Sequence, residues 1–333
     1  DGSIAPVYIL LWMNYQVFVR DTIKPFIQKA LFFLLISLAG ASYAQIPQIE
    51  RDALVALYNS TGGANWSDNK GWMGAVGTEC DWYGVTCSSG FVSKISMSYN
   101  ALSGSIPAEL GNLTRLTYLN LGINSLSGSI PAWLGNRINL TDLRLNSNSL
   151  SGNIPAELGN LTNLTLLLLD NNSLSGSIPA SLGNLTNLAD LRLNSNSLSG
   201  SIPSELGNLT NLTSLSLENN ILSGSIPSEL GNLKNLTGLY LYSNSLSGSI
   251  PSELDNLTNL SVLSLYNNSL SGIIPAWLGN RINLTYLRLS NNSFSGSKPT
   301  WLNSFTISDN AFNVSPTVTI SGGTRTIVDT DSA

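Results

Sequence analysis

The sequence contains no histidine, and only 11% of its 333 residues are charged. Without histidine, the Ser-His-Asp and Cys-His nucleophile systems and the usual zinc sites are excluded. The net charge is −5, and no cluster of Lys and Arg forms a stripe that could neutralise nucleic-acid phosphates. We therefore predict a protein that is not an enzyme, requires no cofactor or metal, and does not bind nucleic acid.

Cysteine is also scarce, with only Cys80 and Cys87 in the whole chain. No further cysteine or histidine could complete a metal site with them, so a disulfide is the favoured use. The alternative is a pair of reduced, buried thiols, as in a cytosolic protein.

The N-terminal region has the charge and hydropathy pattern of a secretory leader. Lys24 and Lys29 precede the apolar run of residues 30–39, and small residues lead to a cleavage site after Ala44. The apolar run is too short to span a bilayer comfortably. We expect a cleaved signal peptide and a secreted or cell-surface protein without a membrane span, and the alternative is an uncleaved anchor.

From about residue 91 the chain repeats with a constant step of 24 residues. Such a period predicts a solenoid, in which each unit buries its apolar side against its neighbours. One column of asparagines keeps this step without interruption and is predicted to form a structural ladder: Asn100, Asn124, Asn148, Asn172, Asn196, Asn220, Asn244, Asn268 and Asn292.

A single unit shows the local rules. Leu119 and Leu121 alternate with polar residues, which predicts a strand with both leucines pointing inward. Asn124 follows where the chain turns, and its amide can satisfy the turning backbone. Gly128 permits a tight backbone, and Pro131 begins a short helical turn. The intervening Leu-Ser-Gly-Ser-Ile-Pro stretch predicts a second, flanking strand.

The unit Leu-x-x-Leu-x-Leu-x-x-Asn-x-Leu-Ser-Gly-x-Ile-Pro-x-x-Leu-Gly-Asn-Leu resembles the plant-specific class of leucine-rich repeats over residues 91–302. That class includes receptor ectodomains and polygalacturonase-inhibiting proteins. The resemblance implies an α/β repeat fold, a right-handed solenoid with a parallel β-sheet on its concave side. The convex side would carry short 3-10 or helical segments, and a helical cap would cover the N-terminal end.

The segment before the repeats resembles the N-terminal cap of the same family. Ile49, Ala53 and Leu57 recur every four residues and predict one apolar helical face. Tryptophans follow, and then the pattern Cys-x-Trp-x-Gly-Val-x-Cys of residues 80–87, in which the resemblance also implies a disulfide. The cap would cover the open core of the first coil.

We predict four segments from these patterns. A shortened last unit is expected at residues 305–312, and the paired-cysteine C-terminal cap of many plant members is absent. The segments are a leader at 1–44 (1–12 possibly upstream sequence, 13–44 the signal peptide), the disulfide-bonded cap at 45–90, the repeats at 91–312, and a C-terminal strand and linker at 313–333.

The outward strand positions are the informative ones, because packing does not dictate them. A central group of these residues consists of Asp142 and Arg144, their repeat Asp190 and Arg192, Asp170, and the leucines Leu166 and Leu168. Exposed leucines between charge pairs could anchor an apolar side chain of a partner. The alternative is a duplicated segment whose Asp–Arg pairs are solvated ion pairs of little energetic value.

A second group is aromatic. Tyr242 and Tyr266 occupy neighbouring positions of one column, Tyr240 shares their face, and Tyr286 lies nearby with Arg288. Tyrosines combine a flat apolar ring with a polar tip, which suits a peptide or a sugar. The alternative is cross-strand packing of tyrosines without a ligand.

Trp133, Trp277 and Trp301 replace the usual small or acidic residue on the convex side, and we interpret them as local packing rather than a secondary contact. The predicted function is recognition of an extracellular protein, peptide or polysaccharide on the concave face. A structural or surface-adsorbing protein, for example one that binds ice or a mineral through its regular Ser, Thr and Asn columns, is the alternative.

Overall fold

A computed structural model describes residues 46–296, together with the short segments 305–306, 317–320 and 323–326. Residues 46–296 form a solenoid of stacked coils, which confirms the predicted repeat fold. Residues 1–44, the predicted leader, and Trp301 lie outside the described residues. In the part that the structure describes, no helix is long and apolar enough to cross a membrane.

The concave side is a ten-stranded sheet in which every pair after the first is parallel. The strands, in spatial order, are β1 (Val85–Ser88), β2 (Phe91–Ser96), β4 (Tyr118–Asn120), β6 (Asp142–Arg144), β8 (Leu166–Leu168), β10 (Asp190–Arg192), β12 (Ser214–Ser216), β14 (Gly238–Tyr240), β16 (Val262–Ser264) and β18 (Tyr286–Arg288). From β4 to β18 each coil contributes one strand of three residues, as the leucine alternation predicts.

The Leu-Ser-Gly-Ser stretches form a second parallel sheet of nine strands, which confirms the predicted flanking strand. Its strands are β3 (Ser103–Ser105), β5 (Ser125–Ser129), β7 (Ser149–Asn153), β9 (Ser173–Ser177), β11 (Ser197–Ser201), β13 (Ile221–Gly224), β15 (Ser245–Gly248), β17 (Ser269–Gly272) and β19 (Ser293–Phe294).

A 3-10 turn follows each of the strands β3, β5, β7, β9, β11, β13, β15 and β17 and returns the chain to the concave side. Each turn begins after a proline, whose fixed φ starts it. The turns are Ala108–Asn112, Ala132–Asn136, Ala156–Asn160, Ala180–Asn184, Ser204–Asn208, Ser228–Asn232, Ser252–Asn256 and Ala276–Asn280, and two further ones, Gly63–Asn65 and Glu79–Asp81, belong to the cap.

The core is a continuous stack of leucines and isoleucines. In one coil, Leu191 and Leu193 point inward from the concave strand, Leu198 from the second sheet, and Leu206 from the 3-10 turn; all four are fully buried. Successive coils superpose these side chains, so each coil buries its apolar surface only when its neighbours are present.

The asparagine column joins consecutive coils by side-chain hydrogen bonds. Asn196 accepts a bond at Oδ1 from the backbone N–H of Leu174 (2.9 Å), and its Nδ2 donates to the carbonyls of Leu169 (3.0 Å) and Leu193 (3.1 Å). Most members of the column are half-buried; Asn100 and Asn220 are buried. The residue before each asparagine from Asn124 to Asn292 has a positive φ, for example Ser195 at 55°.

The N-terminal cap begins with helix α1 (Gln48–Ser60). The predicted apolar face was partly wrong, because Ile49 is 55% exposed whereas Glu50 and Leu54 are buried with Ala53 and Leu57. A step of four residues drifts around a helix with 3.6 residues per turn, whereas positions 50, 53, 54 and 57 stay on one stripe. Glu50 tolerates burial because it accepts the backbone N–H of Val92 at 2.7 Å.

Tryptophans and a disulfide complete the cap. Cys80 and Cys87 form the predicted disulfide. Trp72 packs edge-on against Trp66 with ring centroids 4.8 Å apart, and its ring lies 5.0 Å from that of Trp82. All three rings are buried, so they close the end of the leucine core.

The described C-terminal segments form a separate antiparallel sheet: β20 (Phe305–Thr306), β21 (Thr317–Ile320) and β22 (Gly323–Thr326). Of the shortened last unit predicted at residues 305–312, the structure describes only Phe305 and Thr306, which form β20; the rest of that unit lies outside the described residues.

Candidate ligand-binding site

The outward side chains of the concave sheet form three columns along the solenoid. In the coil of β12 they are Ser214 in the first column, Ser216 in the second and Glu218, just after the strand, in the third. The parallel register places equivalent residues of successive coils side by side, about 4.8 Å apart. A ligand on this face would therefore contact several coils at once.

The columns enclose an open recess of about 580 Å³, which we call the concave recess. It combines residues of both groups that the sequence suggested, because Arg192 of the central group and the tyrosines of the aromatic group line the same cavity. The lining residues are Asp170, Arg192, Asn194, Ser214, Ser216, Glu218, Tyr240, Tyr242, Val262, Ser264, Tyr266, Tyr286 and Arg288. Asp142, Arg144, Leu166, Leu168 and Asp190 are not among them.

Small residues open the recess. Ser216 stands in register between the larger Arg192 and Tyr240, and Ser214, which also lines the recess, stands next to Gly238. At Gly238 a Cβ atom would come within 2.7 Å of the Tyr240 ring, so the absence of a side chain lets that ring fold over the strand.

Glu218 lies in the third column and is only 8% exposed. Burial raises the pKa of the Glu218 carboxyl from 4.5 to about 7, and the charge of Asp170 raises it further. A hydrogen bond from the backbone N–H of Glu218 and the charge of Arg192 lower this pKa, but by less. The Oε2 atom is buried and has no hydrogen-bond partner among the described residues. Glu218 was not among the predicted site residues; its signal in the sequence is an acidic residue in a coil whose other outward positions are serines.

Asp170 occupies the same column two coils earlier and is 9% exposed. Burial raises the pKa of its carboxyl, against the hydrogen bond that Asn171 Nδ2 donates to Oδ2 at 2.7 Å. Its Oδ1 atom is buried and without a partner in the described part of the chain. Two carboxyls with raised pKa values therefore border one recess.

The predicted Asp–Arg pairs are present as ion pairs within single strands. Arg192 donates to Asp190 through Nε (3.0 Å) and Nη2 (2.8 Å), and Arg144 donates to Asp142 through Nη2 (3.1 Å). The hydrogen bond to Asp190 is the main cause that raises the pKa of Arg192. Arg192 is therefore held by its own neighbour and is not directed at Glu218.

The two leucines of the central group are not the exposed anchors that the sequence predicted. Leu166 is half-buried, and Leu168 is only 9% exposed. Leu168 stands in register between Arg144 and Arg192, whose long side chains flank it on both sides. Long charged side chains cover apolar surface in this way.

The aromatic group forms an ordered stack. The rings of Tyr242 and Tyr266 are nearly parallel, at 10°, with centroids 4.5 Å apart. The Arg288 guanidinium lies 4.0 Å from the centroid of the Tyr266 ring, a cation–π arrangement. Burial, aided by the charge of Glu218, raises the pKa of Tyr242 to about 12, so its hydroxyl remains protonated and can donate a hydrogen bond.

The remaining lining residues extend the polar character of the recess. Tyr240 and Tyr286 are half-buried, and Arg288 Nη1 lies 3.4 Å from the Tyr286 hydroxyl. Burial raises the pKa of Tyr240 as well. Ser264 is 1% exposed, and its Oγ atom has no hydrogen-bond partner among the described residues. The described residues contain no group of three or more acidic or Cys side chains that could hold a metal ion.

On the convex side, Trp133 and Trp277 are half-buried and pack against the leucine core. The Arg281 guanidinium lies 5.7 Å from the Trp277 ring centroid and pairs with Asp255 of the preceding coil. These contacts agree with the interpretation of the tryptophans as local packing.

Comparison with known proteins places these features in a family. Residues 96–225 and 131–309 match the family described as a leucine-rich repeat region. The ectodomain of the Arabidopsis thaliana receptor kinase GASSHO1/SCHENGEN3, solved in complex with CASPARIAN STRIP INTEGRITY FACTOR 2, is similar with a TM-score of 0.71 and 40% identity. The match covers 77% of this chain and 30% of that one.

Two further structures are similar over the same share of this chain. The Arabidopsis receptor kinase HAESA ectodomain, in complex with an extended IDA peptide hormone, matches with a TM-score of 0.66 and 37% identity over 77% of this chain and 44% of its own. A plant ice-binding protein matches with a TM-score of 0.62 and 28% identity over 77% of this chain and 90% of its own. The chain thus spans less than half of each receptor ectodomain.

Proposed function

The chain belongs to the leucine-rich repeat family, and we propose that it is an extracellular recognition module that binds a protein or peptide on its concave face. A polysaccharide is the other ligand class that the tyrosines suit. The observation that carries the proposal is the concave recess. It brings buried acceptors without partners, a stacked tyrosine pair and two arginines to one open surface.

Two physical arguments support this face over the convex side. Tyrosine and arginine are enriched among residues whose truncation costs most in binding, and both are concentrated in the recess. The strands that carry them are rigid, so little entropy is lost when a ligand orders them. Two of the similar ectodomains were solved with a named ligand, in one case a peptide hormone, which favours a peptide over a polysaccharide.

The recess does not have the electrostatics of a carboxylate-pair enzyme. Such an enzyme needs one carboxyl kept protonated and a second kept ionised, so the two pKa values must be pushed apart. In the recess burial shifts the pKa values of Asp170 and Glu218 in the same direction, upward, and leaves neither carboxyl with a lowered pKa. On this ground we propose binding without catalysis.

The test is a binding screen of the purified protein against arrays of secreted peptides, secreted proteins and glycans. Once a ligand is found, Tyr242→Ala combined with Tyr266→Ala should weaken binding by about 2 kcal/mol or more, roughly thirty-fold, because the variant removes the aromatic stack. Isothermal titration calorimetry measures the loss. Glu205→Ala, on the convex 3-10 turn, should bind like the wild type. If Trp277→Ala abolishes binding while the tyrosine variant does not, the ligand binds the convex side.

Adsorption to ice or a mineral is a second candidate. The similar plant ice-binding protein is matched over 90% of its length, and the second sheet carries regular exposed hydroxyls. Ser127, Ser151, Ser223 and Ser247 are exposed members of one column. An ice-recrystallisation assay with the pure protein tests this candidate, and unchanged crystal growth would rule out the ice-binding form of it.

A further inference from the structure

We propose that the concave recess binds a cationic side chain, lysine or arginine, of an extended peptide against the carboxyls of Glu218 and Asp170. This inference rests on the proposed function, since it names the chemical class of ligand that the same face selects. It concerns the acidic floor of the recess rather than the tyrosine stack.

The first argument is the pair of acceptors that the protein leaves unsatisfied. Glu218 Oε2 and Asp170 Oδ1 are both buried and both lack a hydrogen-bond partner within the described residues. Buried polar atoms in native proteins are nearly always paired, because an unpaired one costs the desolvation free energy without return. Both atoms belong to side chains that line the open recess, so a ligand in the recess lies against the carboxyl groups that carry them.

The second argument is that the protein's own cations, among the described residues, donate no hydrogen bond to Oε2 of Glu218 or Oδ1 of Asp170. The charge of Arg192 lowers the pKa values of both carboxyls, but its hydrogen bonds go to Asp190 in the same strand, and Arg288 lies over the ring of Tyr266. The other titratable groups that act on Glu218 or lie near it are Asp170, Tyr240, Tyr242 and Tyr286. None of these can supply the positive charge that two carboxyls require, whereas an ammonium or guanidinium group supplies both charge and several N–H donors.

The third argument is shape. Small side chains at Ser214 and Ser216 leave room above the sheet, and the Tyr240 and Tyr242 rings border that room. The aliphatic stem of lysine or arginine can lie along such rings while its charged end reaches the carboxyls. The unpartnered Ser264 Oγ provides a further polar contact at the same site.

The tyrosine stack favours a peptide over an isolated cation. Alternate side chains of an extended peptide point the same way and are about 6.6 Å apart, between one and two of the strand spacings of about 4.8 Å. A cationic residue at Glu218 would therefore place the side chain two positions away over the Tyr242–Tyr266 stack. An apolar, aromatic or proline residue suits that second position.

The protonation of Glu218 supplies a pH signature. Its pKa of about 7 means that the carboxyl is mostly protonated at pH 6 and mostly ionised at pH 8. A cation binds the ionised form, so its binding near pH 7 releases a proton and strengthens as the pH rises. Lysine and arginine stay charged throughout this range, so the change in affinity reports the carboxyl.

The experiment uses pools of capped synthetic heptapeptides in which only the central residue is fixed, bound to the full chain at pH 8 and at pH 6. Pools with central Lys or Arg should bind at least ten-fold more tightly than pools with central norleucine or Glu at pH 8. That preference should fall several-fold at pH 6. Glu218→Gln should abolish it, and the matched convex variant Glu205→Gln should retain it. Melting temperatures of both variants establish that they are folded.

Three outcomes overturn the inference. If peptides bind without a cationic preference, or if Glu218→Gln retains it, the recess does not select a cation although peptide recognition on this face stands. If the preference is stronger at pH 6, the protonated carboxyl is the binding form, as expected for hydrogen bonding to a sugar. If no pool binds at either pH, both the cationic site and the proposed peptide ligand are wrong.

Discussion

The concave and convex sides of the same coils differ in how much sequence variation they carry. The outward concave positions change from coil to coil, with Asp, Leu, Ser, Gly, Val and Tyr in the first column alone. The convex stretch Leu-Ser-Gly-Ser-Ile-Pro and the following Leu-Gly-Asn-Leu recur almost verbatim. The difference shows which part of a coil must match its neighbours and which part is free to encode a ligand.

Close approach between the backbones of neighbouring coils explains why the convex sequence varies so little. A Cβ atom at Gly183 would lie 2.3 Å from the backbone carbonyl oxygen of Glu205 in the next coil. The convex turns are also tied together, as where Asn187 Nδ2 donates to the Thr162 carbonyl at 2.8 Å. On the concave side the backbone ladder holds the strands at a fixed spacing, and outward side chains project away from it.

The coils that carry Trp133 and Trp277 on the convex side are exceptions that support the role of close backbone approach. A Cβ atom at Gly111, which faces the coil of Trp133, would meet nothing closer than the Trp133 ring at 3.4 Å. The coil before Trp277 has Asp255 in place of this glycine altogether. Where the larger side chain separates the turns, the glycine is no longer required.

The largest effect is expected from breaking the convex contact. Gly183→Ala should lower the free energy of unfolding by about 3 kcal/mol, because the new methyl group collides with a backbone carbonyl that cannot move independently. Gly111→Ala is the control and should cost far less. Chemical denaturation measures both, and equal costs would show that coil-to-coil approach does not explain the uniform convex side.

The asparagine column lies at the junction between the two sides. Asn196→Ala should lower the free energy of unfolding by about 2 kcal/mol, because it leaves the Leu174 N–H and the Leu169 carbonyl without their side-chain partner. Ser197→Ala, at the exposed start of β11, should change it little. Similar denaturation midpoints for the two variants would contradict the structural role of the column.

On the variable concave side we expect a substitution with the opposite effect, because Glu218 itself lowers the stability of the folded protein. The folded-state pKa of Glu218 is raised from 4.5 to about 7, so the unfolded chain ionises first and the stability contribution falls as the pH rises through this window. Glu218→Gln should therefore stabilise the protein at pH 8 and not at pH 4, by at most about 3 kcal/mol, the free energy that corresponds to the full shift. Thermal unfolding at both pH values tests this, with Glu205→Gln expected to show no such difference.

The smallest expected change in stability concerns the residue that precedes each asparagine of the column. Ile123 has a φ of 54° and is 50% exposed, whereas this position is Asn or Ser in every later coil up to Asn291. A β-branched residue is strained in this left-handed conformation, so Ile123→Asn should stabilise the protein by about 1 kcal/mol. Ile138→Asn, an exposed isoleucine without positive φ, should give no gain.

The sequence predicted the regular part of this molecule well, because a strict period leaves few alternatives. The alternation around Leu119 and Leu121 located the concave strands, and the recurring Ser-Gly-Ser stretch located the second sheet. The prediction was less accurate in the cap. There the four-residue spacing assigned Ile49 instead of Leu54 to the buried face of helix α1, and it did not include Glu50. A single helix has no repeats against which its buried face can be checked.

The sequence by itself determined the coil, its period, its two sheets and the outward positions, since these follow from local alternation and turn chemistry repeated many times. Only the tertiary structure decided which outward residues act together. Stacking buried Asp170 and Glu218 beside one recess and shielded Leu168 between two arginines. Burial and charge depend on side chains of several coils at once, and no single repeat contains that information.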